Sequence, residues 1–145
     1  MSDIAKRKQA HLDLCLDADS QEDGGLFSHL TLPYRALPEV NLADVSVATK
    51  LFNKTLRQPL IIASMTGGVA HAETINVNLA IAAEQTQVAM GVGSQRIALE
   101  LNAAEKSFKL VRKHAPTAVV FANMGAIQLN NGHGIDSYRR IVDMI

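Results

Sequence analysis

The amino-acid sequence predicts an α/β fold in which strands and helices alternate. From Pro59 onward, apolar segments recur at residues 60–64, 88–92 and 118–122. Each is followed by a turn of glycine or polar residues and then by a helical pattern. The apolar segments are almost uninterrupted, which is typical of parallel strands covered on both faces.

The predicted helices lie near residues 72–85, 103–114 and 135–145. Right-handed βαβ units of this kind build either a doubly wound sheet or a barrel. Small or polar residues end each strand, where both architectures bind ligands, and we take this to favour the barrel. The predicted fold is therefore the N-terminal portion of a (β/α)8 TIM barrel with an N-terminal helical and hairpin extension. Because the chain stops inside a predicted helix, we expect a truncated barrel.

The predicted extension covers residues 1–58, and the barrel units cover residues 59–145. The extension begins with an amphipathic helix over residues 3–16, followed by an acidic, turn-rich stretch over residues 17–25 that we expect to be mobile. Beyond it, alternating apolar residues and the turn candidate Asn53-Lys54 predict short strands and loops.

Composition and charge narrow the classes of function. The chain has 145 residues, of which 48% are hydrophobic, enough for an ordinary globular core. Its 14 basic and 14 acidic residues balance, so no global field favours nucleic acid or a membrane surface. No apolar run reaches the roughly 18 residues of a membrane span. The single cysteine, Cys15, forms no internal disulfide, and we expect a cytoplasmic protein.

The strand ends carry the candidate ligand-binding motifs. Gly67-Gly68 allows a flat or phosphorylated ligand to approach the backbone, although a plain turn explains it equally well. Arg96 ends the motif Gly91-Val-Gly-Ser-Gln-Arg96 and can pair bidentately with phosphate or simply face solvent. Asn123 offers an amide after the third strand or stabilises the turn. The P-loop and G-x-G-x-x-G spacings are missing from the sequence, which disfavours ATP and Rossmann-type NAD binding.

The N-terminal helix carries a cationic cluster of Arg7, Lys8 and His11. Arg7 and His11 are four residues apart and share one helical face. The alternative is a solvated basic helix end. The other histidines show no HExxH or HxH spacing, so we expect no protein-built zinc site, and no residue of the chain is predicted as a metal ligand.

Four motifs, in order and in strand context, resemble the FMN-dependent type 2 isopentenyl-diphosphate delta-isomerases. The likeness runs from Arg7 to about Gln128. It implies conversion of isopentenyl diphosphate to dimethylallyl diphosphate, with reduced FMN as the acid/base, NADPH to reduce the FMN and Mg²⁺ to neutralise the diphosphate. It implies no catalytic protein side chain in this chain. The motifs are Arg7-Lys8-x-x-His11-Leu12, Ser64-Met65-Thr66-Gly67-Gly68, Gly91-Val-Gly-Ser-Gln-Arg96 and Phe121-Ala-Asn-Met-Gly125.

The resemblance also implies a role for each matched residue. The residues that would contact FMN are Ser64, Met65, Thr66, Ser94 and Asn123. The residues that would contact the substrate are Arg7, Lys8, His11, Ser94, Gln95 and Arg96.

Two alternatives stay open. The first is another FMN-barrel oxidoreductase, acting for example on a 2-hydroxy acid, because a fold does not determine a function. The second is an inactive half-barrel. Further segments of the family would lie beyond Ile145, so we expect this chain to be inactive by itself. For the working protein we expect a homo-oligomer.

Overall fold

The computed structural model describes residues 3–17, 25–67 and 70–145. Within these ranges the chain forms helices and short strands, with short 3-10 turns between some of them. The helices are α1 (Asp3–Cys15), α2 (Ala70–Thr86), α3 (Arg96–Glu100), α4 (Glu105–His114), α5 (Ile127–Asn130) and α6 (Ile135–Asp143). The strands are β1 (Thr49–Leu51), β2 (Lys54–Leu56), β3 (Ile61–Ile62), β4 (Ala89–Gly91) and β5 (Val120–Phe121).

Strands β3, β4 and β5 form a parallel sheet with β4 in the middle. Met90 of β4 is in register with Ile62 on one side and with Val120 on the other. The sheet is open, since β3 and β5 each pair only with β4. Closure of a barrel requires the first and last strands to pair. The predicted TIM barrel is therefore wrong: the described residues form one two-stranded and one three-stranded sheet and no barrel.

Helices α2 and α4 supply much of the core. Helix α2 buries Ala72, Asn76, Ala80 and Ala83, spaced so that they lie along one helical face. Alanine has the highest helix propensity and lets the neighbouring element approach closely. Helix α4 inserts Phe108, whose side chain is fully buried. The remaining buried hydrophobic members of this core are Val88, Met90, Val92, Ile97, Ala98, Val111, Ala115, Ala118, Ile141 and Met144.

Strands β1 and β2 form an antiparallel hairpin that pairs Thr49 with Leu56. The turn falls at Phe52-Asn53, one residue before the predicted turn, and Phe52 has a φ of 53°. The Phe52 ring packs against Phe121 of β5, with the ring centroids 6.0 Å apart. This contact accounts for an aromatic residue in a left-handed conformation that glycine or asparagine usually adopts.

Residues 25–47 contribute no buried side chain. They contain two 3-10 turns, Leu26–His29 and Leu42–Asp44, neither of which has a side-chain cap. Their large apolar side chains are exposed, Tyr34 by 90%. This segment lies outside the core. Most of the stretch that we predict to be mobile, residues 17–25, and Gly68 of the first glycine motif lie outside the described residues.

Of the helices that the structure describes, none is both long and apolar enough to cross a membrane.

Candidate functional site

A cavity of about 320 Å³ lies between α1 and the segment that joins β4 to α3. Five of the six predicted substrate residues lie on its wall, and Ile97 of α3 is the sixth lining residue. Helix α1 contributes Arg7, Lys8 and His11, and the β4–α3 segment contributes Ser94 and Arg96. Two segments more than 80 residues apart along the chain thus form one site.

The local geometry of each segment explains this arrangement. On α1, positions 7, 8 and 11 fall on one side of the helix, because residues three and four apart are neighbours. The neighbouring Leu12 is only 5% exposed and anchors α1 to the body of the protein. On the other wall, Arg96 is the first residue of α3. Its Nε lies 3.3 Å from the Glu100 carboxylate, one turn later, which restricts the guanidinium.

Lys8 lies where the two loops that follow β3 and β4 meet. Its Nζ donates a hydrogen bond to the Gly67 carbonyl and another, of 3.3 Å, to the Ser94 carbonyl. Burial, and secondarily the positive charge of Arg96, lowers the pKa of Lys8 from 10.5 to about 8. The amine is thus attached to both loops, and it loses its charge as the pH rises through about 8.

The charge of this cavity favours an anion. Three of its lining side chains are Lys or Arg, one is His, and none is Asp or Glu. Like charges at this spacing repel one another, and the lowered pKa of Lys8 is one sign of that repulsion. A ligand with several negative charges relieves the repulsion and pairs with the guanidinium groups. The site is therefore suited to phosphate or diphosphate.

Gln95 lies between two lining residues, but its side chain points into the protein. It is 0% exposed. Its Nε2 donates to the Ile141 carbonyl at 2.7 Å, and its Oε1 accepts from the backbone N–H of Asn123 at 2.9 Å. The predicted contact between Gln95 and a substrate stays a prediction, since the carboxamide is held within the fold.

The predicted cofactor residues lie at the ends of β3, β4 and β5. Ser64 and Met65 are exposed, and Asn123 is half-buried. Thr66 is buried, and its Oγ1 has no hydrogen-bond partner among the described residues. Met65 lines a second cavity of about 550 Å³ between α1 and α2, whereas Ser94 lines the cationic one. The five residues share one edge of the sheet but not one cavity.

Glycines bring the first two loops together at this edge. A Cβ on Gly93 would overlap the backbone carbonyl of Thr66, and one on Gly91 would overlap the Ser64 hydroxyl. These close contacts place the loop after β3 directly against the loop after β4. Glycine is therefore required at positions 91 and 93 by close packing against the loop after β3.

Within residues 3–17, 25–67 and 70–145, no group of three or more His, Cys, Asp or Glu side chains is placed to hold a metal ion. The predicted Mg²⁺ and NADPH stay predictions.

Two parts of this site were not predicted from the sequence. Ile97 supplies an apolar patch on the cavity wall, and the Gly67 carbonyl holds Lys8. A backbone carbonyl leaves no trace in residue type, and an isoleucine after a strand indicates only a core position.

Comparison with known proteins finds close relatives but no matching family model. The chain is 48% identical to the isopentenyl-diphosphate delta-isomerase of Hydrogenovibrio crunogenus over 99% of the chain and 42% of that relative. It is 44% identical to the enzyme of the same name from Pseudescherichia vulneris, over 98% of the chain and 42% of that relative. It is 39% identical to the Methanosarcina barkeri enzyme of the same name, over 100% of the chain and 40% of that relative. The chain thus spans about two fifths of the length of these curated relatives.

These names correct one prediction. They give the isomerase activity of the relatives without a type 2 or FMN-dependent designation. The assignment to the FMN-dependent type 2 enzymes is therefore wrong as a statement of family, since the similarity extends only to isopentenyl-diphosphate delta-isomerases as such.

Proposed function

We propose that the complete protein converts isopentenyl diphosphate to dimethylallyl diphosphate and that this chain supplies part of the site for the diphosphate. The cavity that gathers Arg7, Lys8 and Arg96 without a lining carboxylate carries this proposal. The shared name of relatives that are 39–48% identical supports the isomerase activity. In the complete protein we expect isopentenyl diphosphate and dimethylallyl diphosphate as partners, a homo-oligomeric state and a cytoplasmic location.

The cavity residues divide the work of holding a diphosphate. Arg7 and Arg96 have planar guanidinium groups that pair bidentately with phosphate oxygens. Lys8 offers a further positive charge, and His11 and Ser94 offer further hydrogen-bonding groups. Ile97 gives the bound group an apolar neighbour on the cavity wall. Binding of the diphosphate here would orient the five-carbon tail without any covalent step.

A flavin site at the adjacent strand ends is the finer part of this proposal. Ser64, Ser94 and Asn123 supply hydroxyl and amide groups at one edge of the sheet, and the hydroxyl of Thr66 is buried there without a partner among the described residues. These groups have the chemistry to hydrogen-bond an FMN ring laid across the strand ends, with Met65 alongside it. Reduced FMN would supply the acid/base chemistry, NADPH its reduction, and Mg²⁺ the neutralisation of diphosphate charge. The protein residues would hold the flavin and orient the substrate.

Isothermal titration calorimetry with inorganic pyrophosphate tests the diphosphate site. Arg96→Met should raise the dissociation constant roughly 10-fold or more, because a charge-assisted hydrogen bond contributes about 1.5–3 kcal/mol. Arg7→Met should have a similar effect. Arg35→Met is the matched control, since Arg35 lies in the exposed segment 25–47. If the unaltered chain and all three variants bind pyrophosphate with equal affinity, the site is refuted.

The isomerase activity itself is tested in the complete protein. Incubation with isopentenyl diphosphate in D₂O should yield dimethylallyl diphosphate that carries deuterium, seen by NMR, because one carbon is protonated and another is deprotonated. Enzyme stripped of flavin should lose this activity and regain it with reduced FMN. Activity that persists without any flavin would refute the cofactor and leave the diphosphate site standing.

A further inference from the structure

The side chain of Gln95 connects three elements next to the cationic cavity. It follows β4, and its own backbone N–H donates to the Asn123 carbonyl at 2.8 Å, just past β5. Its Oε1 accepts the Asn123 N–H at 2.9 Å. Its Nε2 reaches the other way to α6 and donates to the Ile141 carbonyl at 2.7 Å. One buried carboxamide thus links the ends of two strands to a helix.

The contact with α6 satisfies a group that the helix itself leaves unpaired. Ile141 lies in the last turn of α6, where carbonyls have no N–H partner within the helix. The N–H of Ile145 bonds to Val142 instead. Without Gln95 the Ile141 carbonyl would be buried and unpaired, which is unfavourable. The link is therefore specific to a side chain that both donates and accepts.

The same residue lies between two residues that line the cavity. Ser94 and Arg96 line the cavity, whereas Gln95 between them is fully buried. The Gln95 carbonyl also accepts the N–H of Ala98 at 2.9 Å, which starts α3. If the carboxamide left its position, the peptide units on both sides would rotate, and the Ser94 carbonyl and the Arg96 guanidinium would turn with them.

We infer that Gln95 is a positioning residue, which holds Ser94 and Arg96 toward the bound diphosphate through its carboxamide and does not itself contact the ligand. This role rests on the proposed diphosphate site. It differs from the substrate contact that the sequence resemblance implies for Gln95.

Calorimetry with inorganic pyrophosphate on the full 145-residue chain tests the inference. Gln95→Met keeps the approximate length and volume of the side chain but removes its three hydrogen bonds, to the Ile141 carbonyl, the Met144 Sδ and the Asn123 N–H. Its dissociation constant should rise about tenfold, equivalent to ~1.4 kcal/mol. Gln128→Met is the matched control: Gln128 is similarly buried, at 5% exposure, and does not line the cavity. It should bind as the unaltered chain does.

The conservative variant Gln95→Glu separates positioning from packing. An ionised carboxylate cannot donate to the Ile141 carbonyl, whereas a protonated one donates there and still accepts from Asn123. Relative to the unaltered chain at the same pH, its affinity should be weak at pH 8 and recover toward pH 5.5. If the ratio of the dissociation constants of Gln95→Glu and the unaltered chain does not change with pH, the inference is overturned. So would a side-chain NMR titration in which the Gln95 carboxamide signal, rather than the Arg96 signal, shifts on adding pyrophosphate.

Hydrogen exchange keeps this test independent of the proposed function. The amides of Asn123 and Ala98 should be protected in the unaltered chain and exchange at least tenfold faster in Gln95→Met, with the remaining core amides unchanged. If the unaltered chain does not bind pyrophosphate, the proposed function fails, and these two amides still decide whether Gln95 holds the loop. Unchanged protection would overturn the inference. If Gln95→Met does not fold, the same amides are read in Gln95→Glu at pH 8 and 5.5.

Discussion

Raising the pH from 7 to 9 should weaken pyrophosphate binding because Lys8 loses its charge. With a pKa of about 8, Lys8 is about nine-tenths charged at pH 7 and about one-tenth charged at pH 9. If the anion binds only the charged amine, the dissociation constant rises about tenfold across this range. The sign follows from the direction of the shift: burial and Arg96 lower the pKa, so the charge is lost as the pH rises through 8.

The Lys8→Arg chain provides the reference for this measurement, because a guanidinium stays charged throughout the range. Calorimetry on both chains at pH 7, 8 and 9 gives a ratio of dissociation constants in which the ionisation of pyrophosphate cancels. Arg96→Met should move the midpoint above 8, since it removes the second cause of the shift. A ratio that stays constant between pH 7 and 9 would show that the charge of Lys8 does not contribute to binding.

Three further predictions concern stability. Glu84→Met should destabilise the chain by about 1–3 kcal/mol in urea at pH 7, because it removes the carboxylate oxygen that accepts the N–H groups of Thr117 and Ala118. Burial raises the pKa of Glu84, but these hydrogen bonds outweigh burial and lower the pKa. The stabilisation by the carboxylate should therefore be present above pH 4.5 and fade as the pH falls further. An equal loss of stability in the variant at pH 7 and at pH 3 would contradict this. Gly93→Ala should both lower the melting temperature and weaken pyrophosphate binding. A variant that is equally stable and binds pyrophosphate as tightly as the unaltered chain would refute the close contact with Thr66. Phe108→Ala should cost about 3–5 kcal/mol by opening a cavity, and unchanged unfolding in urea would show that the ring is not in the core.

Much of the local structure follows from periodicity. Helix α1 ends one residue before the predicted end, and each parallel strand lies within a predicted apolar segment. These features depend on neighbours in sequence, which periodicity records. The predicted barrel failed because closure depends on pairing between strands far apart in the chain, and three short strands fit several architectures.

The candidate site shows the same division. The helical spacing of Arg7 and His11 predicts that they share a face, and the motif after β4 predicts Ser94 and Arg96 at a strand end. That the two segments meet in one cavity does not follow from these patterns, and only the family resemblance implied a common role for them. The burial of Gln95 does not follow from them either. A glutamine flanked by a serine and an arginine has the composition of an exposed loop, and the direction of its side chain depends on Asn123 and Ile141, 28 and 46 residues later.

The exposed segment 25–47 has a thermodynamic consequence. Its residues are already in water in the folded chain, so unfolding transfers little of their surface. Both the denaturant slope and the heat-capacity change scale with newly exposed area, and each should be smaller than 145 residues would suggest. Trypsin should also cut at Arg35 before the core opens, because cleavage there requires no unfolding. The chain would therefore behave in calorimetry as a smaller protein carrying a long peptide appendage.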